Sequence, residues 1–140
     1  MERLRQTPSQ TIGPYFAYGL TAEQYGYDYN SLVSGSLIGN TEEREWINIV
    51  GNVFDGNGAP VSDAMLELWQ ANAKGVYTKI IKRENEGFKG FGRLGTGVDL
   101  NSRFRFLTIK PGVTILHPAP HIDVIFFMRG SLHQLNTRIY

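Results

Sequence analysis

The chain has 140 residues, no cysteine and a nearly even charge balance, with 14 Lys plus Arg against 13 Asp plus Glu. The missing cysteines exclude disulfides, thiolate nucleophiles and Cys-ligated zinc or iron–sulfur centres. The even charge favours neither nucleic acid nor an anionic membrane as a partner. The length suits a single domain, which is expected to span residues 1–140.

No segment predicts a membrane anchor or secretion. The longest purely apolar run, Val124–Met128, is far shorter than a bilayer-spanning helix requires. Residues 1–10 are polar and lack the apolar core of a signal peptide. A cytoplasmic location is therefore expected.

Residues 1–20 are predicted to form an extended N-terminal arm. Pro8, Gly13 and Pro14 argue against a helix in this segment. The following loop, residues 21–45, shows no dominant period and is expected to lie on the surface, with one short helix near Thr21–Tyr25.

The central stretch, residues 51–77, predicts two strands joined by a turn. Apolar residues alternate on both sides of the segment DGNGAP, which is rich in residues that tolerate or preset turns. One face after the turn carries Ala64, Leu66 and Leu68. The pattern fits either a β-hairpin or a connection between two sheets.

Residues 84–103 are rich in glycine and match the spacing G-x-G-x-x-G at Gly90, Gly92 and Gly95. A dinucleotide site also needs a helix directly after this motif, and Gly97 and Asn101 argue against one. The better interpretation is a long loop packed by two phenylalanines, Phe88 and Phe91.

Residues 104–140 return to the alternation typical of strands. Ile122, Val124 and Phe126 share one face of a strand, and a further strand is expected around Leu135–Ile139. His133 is expected on the surface. Helical periodicity is sustained nowhere, so the fold class predicted is an all-β, antiparallel sandwich with long irregular loops.

Several motifs together resemble the intradiol ring-cleaving dioxygenases, the non-haem ferric enzymes that open catechols. They are DGNGAP, LELWQAN, the G-x-Y ending at Tyr77, TIKPG, APHID and the closing RGSL and TRIY segments. The opening TPSQTIGPY is similar to the start of the α-type chain in two-chain members of the family. The resemblance implies O2-dependent cleavage of protocatechuate to 3-carboxy-cis,cis-muconate. It also implies that the family's C-terminal strands are missing after Tyr140, as in a truncated chain.

Catalytic chains of this family hold ferric iron with two tyrosines and two histidines, a donor set suited to Fe(III). On the motifs, Tyr77 stands at the first tyrosine, His121 at the first histidine and Asp123 at the second histidine. No tyrosine follows TIKPG. The resemblance therefore implies vestigial ligand positions with no iron in this chain, and Tyr77 and His121 are expected to hydrogen-bond each other or a backbone group.

The resemblance also implies a partner, a β chain that holds Fe(III) and binds a small aromatic substrate in a hetero-oligomer. No catalytic residue is expected in this chain. Thr11, Gly13, Pro14 and Arg129 are expected to contribute to the partner's substrate pocket in trans, because glycine permits close approach and guanidinium pairs well with carboxylates.

Two other functions remain open at this point. One is a stand-alone ferric catechol dioxygenase with an atypical ligand set drawn from His117, His121 and Asp123. The other is a non-enzymatic, transthyretin-like binding module.

Overall fold

The computed structural model describes residues 5–40, 45–78 and 87–140. Its elements are a short helix α1, a 3₁₀ helix and six strands: α1 (Phe16–Leu20), the 3₁₀ helix (Ala22–Tyr25), β1 (Trp46–Asn52), β2 (Met65–Gln70), β3 (Phe91–Gly95), β4 (Arg103–Ile109), β5 (Ile122–Phe127) and β6 (Leu135–Ile139). No helix in these three ranges is long and apolar enough to cross a membrane.

The strands form two antiparallel sheets. One sheet has the order β3-β2-β5-β6, and the other consists of β1 and β4. Every strand pair is antiparallel, so the predicted all-β class and strand orientation are confirmed.

Alternating apolar side chains from both sheets meet in one core, because successive residues of a strand face opposite sides. The buried members of this cluster are Leu37, Ile38, Ala64, Leu66, Leu68, Phe88, Phe104, Phe106, Ile109, Ile122 and Val124. Gly51 provides space for an aromatic ring, since a Cβ atom there would lie 2.8 Å from Cζ of Phe104.

The turn after β1 is closed by an antiparallel bridge between Phe54 and Pro60, and the chain then enters β2 in the other sheet. The segment is therefore both a small hairpin and a connection between the sheets. The carboxylate of Asp55 accepts hydrogen bonds from the N–H groups of Asn57 and Ala59. The buried side chain of Gln70 then ties the sheets together from the end of β2. Its side-chain amide donates a hydrogen bond of 2.9 Å to the carbonyl of Ile109, and its Oε1 accepts one of 2.7 Å from the Thr108 hydroxyl.

The expectation of an extended arm over residues 1–20 is wrong at its end, where α1 occurs. Residues 1–4 lie outside the described residues, and residues 5–13 contain no helix or strand. Pro14 precedes the helix, where a missing N–H costs nothing, and the N–H of Phe16 bonds to the carbonyl of Gly13. The short helix expected near Thr21–Tyr25 is confirmed as the 3₁₀ helix.

Two further expectations about loops are corrected. The segment 21–45 is not wholly a surface loop, because Leu37 is fully buried and its N–H bonds to the carbonyl of Leu107. The glycine-rich segment contains β3, whose glycines permit close packing: a side chain at Gly92 would clash with Leu37, and one at Gly95 with Tyr25. Residues 79–86 lie outside the described residues.

Candidate functional site

A short loop after β2 delivers Tyr77 to its position. The side-chain oxygen of Asn72 accepts hydrogen bonds from the N–H groups of Lys74 and Val76, each over 3.0 Å. Gly75 has a positive φ of 76°, and the carbonyl of Val113 occupies the space that a Cβ atom would need. Asn72 and Gly75 therefore bring this loop into direct contact with the segment that follows β4.

Tyr77 and His121 form the hydrogen bond expected from the sequence. The Tyr77 hydroxyl lies 3.3 Å from Nε2 of His121, and Nδ1 of the same ring lies 2.9 Å from the carbonyl oxygen of Ala119. Because a carbonyl only accepts, Nδ1 carries the proton and Nε2 accepts from the tyrosine. His121 is buried, and both of its nitrogens have a partner within the chain.

Asp123 is paired with an arginine from the neighbouring strand. Arg138 lies directly opposite Asp123 in the β5–β6 register, and its Nε donates to Oδ1 over 2.7 Å. The hydrogen bond to Asp123, followed by one to Tyr140, raises the pKa of Arg138. Oδ2 of Asp123 lies 3.7 Å from Nε2 of His121. A fixed positive charge therefore stands beside the vestigial ligand positions.

These residues do not fit a ferric ion. Burial, followed by the charge of Asp123, raises the pKa of Tyr77, so its neutral hydroxyl is favoured over the tyrosinate that Fe(III) prefers. Asp123 is already paired with the Arg138 guanidinium, whose charge lowers the pKa of Tyr77 by less than burial and Asp123 raise it. His117 meets His121 edge to face, with ring centroids 5.0 Å apart and an interplanar angle of 89°.

Across residues 5–40, 45–78 and 87–140, no group of three His, Cys, Asp or Glu side chains is arranged to hold a metal ion. The atypical set of His117, His121 and Asp123 is thus not assembled as a ligand cluster. The expectation that this chain binds no iron stays a prediction.

The residues expected to act in trans lie on a solvent-exposed surface of the chain. Thr11, Gly13 and Pro14 are all exposed. Between them, the N–H of Ile12 donates over 3.0 Å to the carbonyl of Ser131, which ends the turn containing Arg129. The structure therefore brings the arm and the Arg129 turn (residues 128–131) together, and His133 lies nearby in sequence with its side chain exposed, as expected.

Sequence reasoning missed Asp63 at this surface. Its Oδ2 lies 2.8 Å from Nε of Arg129. The two residues are 66 positions apart in sequence, and the one local signal for Asp63 is its place two residues before the core strand β2. Only the tertiary fold brings the pair together.

The family profile described as Dioxygenase matches residues 13–131. The chain therefore belongs to this family, the intradiol ring-cleaving dioxygenases, and the resemblance of its motifs to that family is confirmed.

Among relatives, the chain is 48% identical to the protocatechuate 3,4-dioxygenase alpha chain of Burkholderia cepacia, over 100% of this chain and 72% of that protein. It is 36% identical to the beta chain from the same organism, over 79% of this chain and 45% of the beta chain. Among solved structures, it matches the dioxygenase domain of a carbohydrate-binding fusion from Streptomyces sp. SirexAA-E with a TM-score of 0.63 and 26% identity, over 97% of this chain and 75% of that one.

Proposed function

We propose that this chain is the α-type subunit of a protocatechuate 3,4-dioxygenase, whose partner β chain holds the ferric iron. The observation that carries the proposal is the 48% identity to an alpha chain along the whole sequence, against 36% over 79% of the sequence for a beta chain. The complex would use O2 to open protocatechuate to 3-carboxy-cis,cis-muconate.

The geometry at Tyr77 supports a subunit without its own iron. Tyr77 donates to His121, and Asp123 is paired with Arg138. Releasing these groups for a metal would break both contacts and place a second cation beside the Arg138 guanidinium. Such a like-charge contact in a partly buried site is unfavourable. This arrangement argues against the stand-alone ferric dioxygenase.

The arm and the Arg129 turn are the parts of this chain that we assign to substrate binding. The ferric iron of the partner supplies the oxidative chemistry of ring opening. This chain contributes a carboxylate-binding guanidinium from Arg129 and a close-approach backbone at Thr11, Gly13 and Pro14. A Cβ atom at Gly13 would meet nothing within 4 Å among the described residues, so space at that position is open for a partner or substrate.

The test is to co-express the chain with a β chain and measure steady-state cleavage of protocatechuate together with iron content. Arg129→Ala is expected to raise the KM for protocatechuate about tenfold with iron retained, since hydrogen bonds to charged groups contribute about 1.5–3 kcal/mol. Gly13→Val is expected to raise the KM by obstructing the approach. Arg105→Ala, at an exposed arginine on β4, is the matched control.

A wild-type complex with no activity toward protocatechuate would refute the proposed function. Unchanged kinetics in both Gly13→Val and Arg129→Ala would reduce this chain to a scaffold. An equal loss in the Arg105→Ala control would point to a general effect of surface charge.

A further inference from the structure

The ion pair between Asp63 and Arg129 is asymmetric in its exposure. The Asp63 side chain is 17% exposed, whereas that of Arg129 is 63% exposed. The carboxylate is thus mostly shielded by the protein, and the guanidinium stands largely in solvent. Such a pair restrains the arginine from its protein side and leaves most of its side chain accessible to solvent.

The shortest contact of the ion pair joins Nε of Arg129 to Oδ2 of Asp63, 2.8 Å apart. An arginine carries its other N–H donors on the two terminal nitrogens, in a planar fork that matches a carboxylate. Among the described residues, Asp63 is the one polar partner of Arg129. The terminal nitrogens are therefore left available to a ligand.

Asp63 itself is held in place by the core. The next residue, Ala64, is fully buried, and its backbone exchanges hydrogen bonds with Thr96: its N–H donates to Oγ1 over 3.2 Å and its carbonyl accepts from the Thr96 N–H over 2.9 Å. On the other side, a Cβ atom at Gly97 would lie only 2.6 Å from the carbonyl oxygen of Ser62. These contacts fix the backbone that presents the carboxylate.

We propose that Asp63 is a positioning residue that holds Arg129 through the ion pair at Nε, so that the terminal amino groups face the ring carboxylate of an aromatic substrate. The inference rests on the proposed function and extends it to a residue outside the arm. A long, exposed side chain loses rotamer freedom when it binds a ligand, and holding it beforehand reduces that loss.

Two other roles for Asp63 predict different results, which makes the inference testable. If Asp63 only stabilises the turn, its removal changes the melting temperature but not substrate binding, since partly exposed ion pairs contribute little. If its charge only weakens the attraction of Arg129 for an anion, its removal lowers the KM for protocatechuate. Positioning predicts instead that the KM rises.

The experiment uses the assembled complex with the wild-type chain, Asp63→Asn, Arg129→Ala and the double variant. Each is assayed with protocatechuate and with catechol, which lacks the carboxylate. Asp63→Asn is expected to raise the KM for protocatechuate about threefold with kcat unchanged, and to leave the KM for catechol unaltered. The double variant should be no worse than Arg129→Ala alone, because the two residues act as one unit.

Glu67→Gln is the matched control, because it neutralises another carboxylate that is paired with an arginine and similarly shielded. The Glu67 side chain is 13% exposed, and its Oε1 lies 2.5 Å from Nη2 of Arg93. The Glu67→Gln variant is expected to lower the melting temperature without a substrate-selective change in KM. Asp63→Glu keeps the charge but moves it by one methylene, and it is expected to give a KM between those of the wild type and Asp63→Asn.

An unchanged or lowered KM for protocatechuate in Asp63→Asn would overturn the inference, as would equal changes with both substrates or an additive double variant. If Asp63→Asn does not assemble, an unchanged KM in Asp63→Glu overturns it. If Arg129→Ala is impaired and both Asp63 variants are not, this inference alone fails. A wild-type complex inactive toward protocatechuate refutes it together with the proposed function.

Discussion

The Tyr77 cluster (Tyr77, His121, Asp123 and Arg138) and the arm with its Arg129 turn differ in how their polar groups are paired. In the Tyr77 cluster, the tyrosine is bonded to the histidine and the carboxylate to the arginine. At the Arg129 turn, a guanidinium is paired with Asp63 and is otherwise exposed.

The difference indicates which region can bind a ligand. Polar groups that satisfy one another gain little from a new partner, because each new contact first breaks an old one. An exposed arginine paired with a shielded carboxylate keeps N–H donors that can bind a ligand without breaking existing hydrogen bonds. We therefore expect the Arg129 turn, and not the loop that carries Tyr77, to bind a ligand.

The largest expected effect is a loss of stability from a change in the loop that carries Tyr77. Gly75→Ala should destabilise the fold by about 3 kcal/mol, because a Cβ atom would overlap the carbonyl of Val113 in addition to straining the backbone at a φ of 76°. Chemical denaturation of the chain in its complex measures the loss.

Gly58→Ala is the matched control for this prediction. Gly58 has a similar φ of 80°, but a Cβ atom there would meet nothing within 4 Å. It should therefore show only the backbone strain, about 1 kcal/mol. Equal destabilisation in the two variants would mean that Gly75 is not in close contact with Val113.

A smaller effect is expected for Tyr77→Phe. Removing the hydroxyl leaves the buried Nε2 of His121 without its donor, which should lower the free energy of unfolding by about 1 kcal/mol. The kinetics of the complex should not change, in contrast to Arg129→Ala. Tyr29→Phe, at a tyrosine that is 75% exposed, should change neither quantity. Loss of activity in Tyr77→Phe at normal stability would show that Tyr77 takes part in catalysis.

The smallest effect is a change in stability at acidic pH, and it comes from an ion pair outside both regions. The hydrogen bond from Arg103 lowers the pKa of Asp99 to about 2 from its usual 3.8. Because the pKa of Asp99 is lower in the folded state, the ion pair stabilises the fold at pH values above the unfolded-state pKa. This contribution is lost as the pH falls from about 4 toward 2. Asp99→Asn should slightly flatten the acid limb of the stability curve, measured by thermal unfolding between pH 5 and pH 2. An unchanged limb would mean that the pair is not formed in solution.

The sequence predicted the strand faces and the family because both depend on local patterns. The alternation of Leu66 and Leu68 follows from residue spacing. The hydrogen bond between Tyr77 and His121, which are 44 positions apart, was expected from the family's motifs and not from a local pattern. Other features depend on contacts between distant segments. The glycine-rich segment forms β3 because Leu37 and Tyr25 pack against its glycines, which no local signal shows.

The site was predictable to the same limited extent. The arm and Arg129 are predicted from motifs, and this assignment stays a prediction. Asp63 was missed because a turn-adjacent aspartate is common on protein surfaces. The pairing of Arg138 with Asp123 likewise depends on the register of β6 against β5, which the alternation of apolar residues does not fix to a particular partner.

We propose that this chain serves an iron site that it does not itself contain. The most direct test is the iron content per αβ pair, taken with the visible absorption of tyrosinate bound to Fe(III), for complexes carrying the wild-type chain or Tyr77→Phe. We expect a single iron per pair and the same absorption in both complexes. A second iron per pair that is lost in Tyr77→Phe would contradict the proposal.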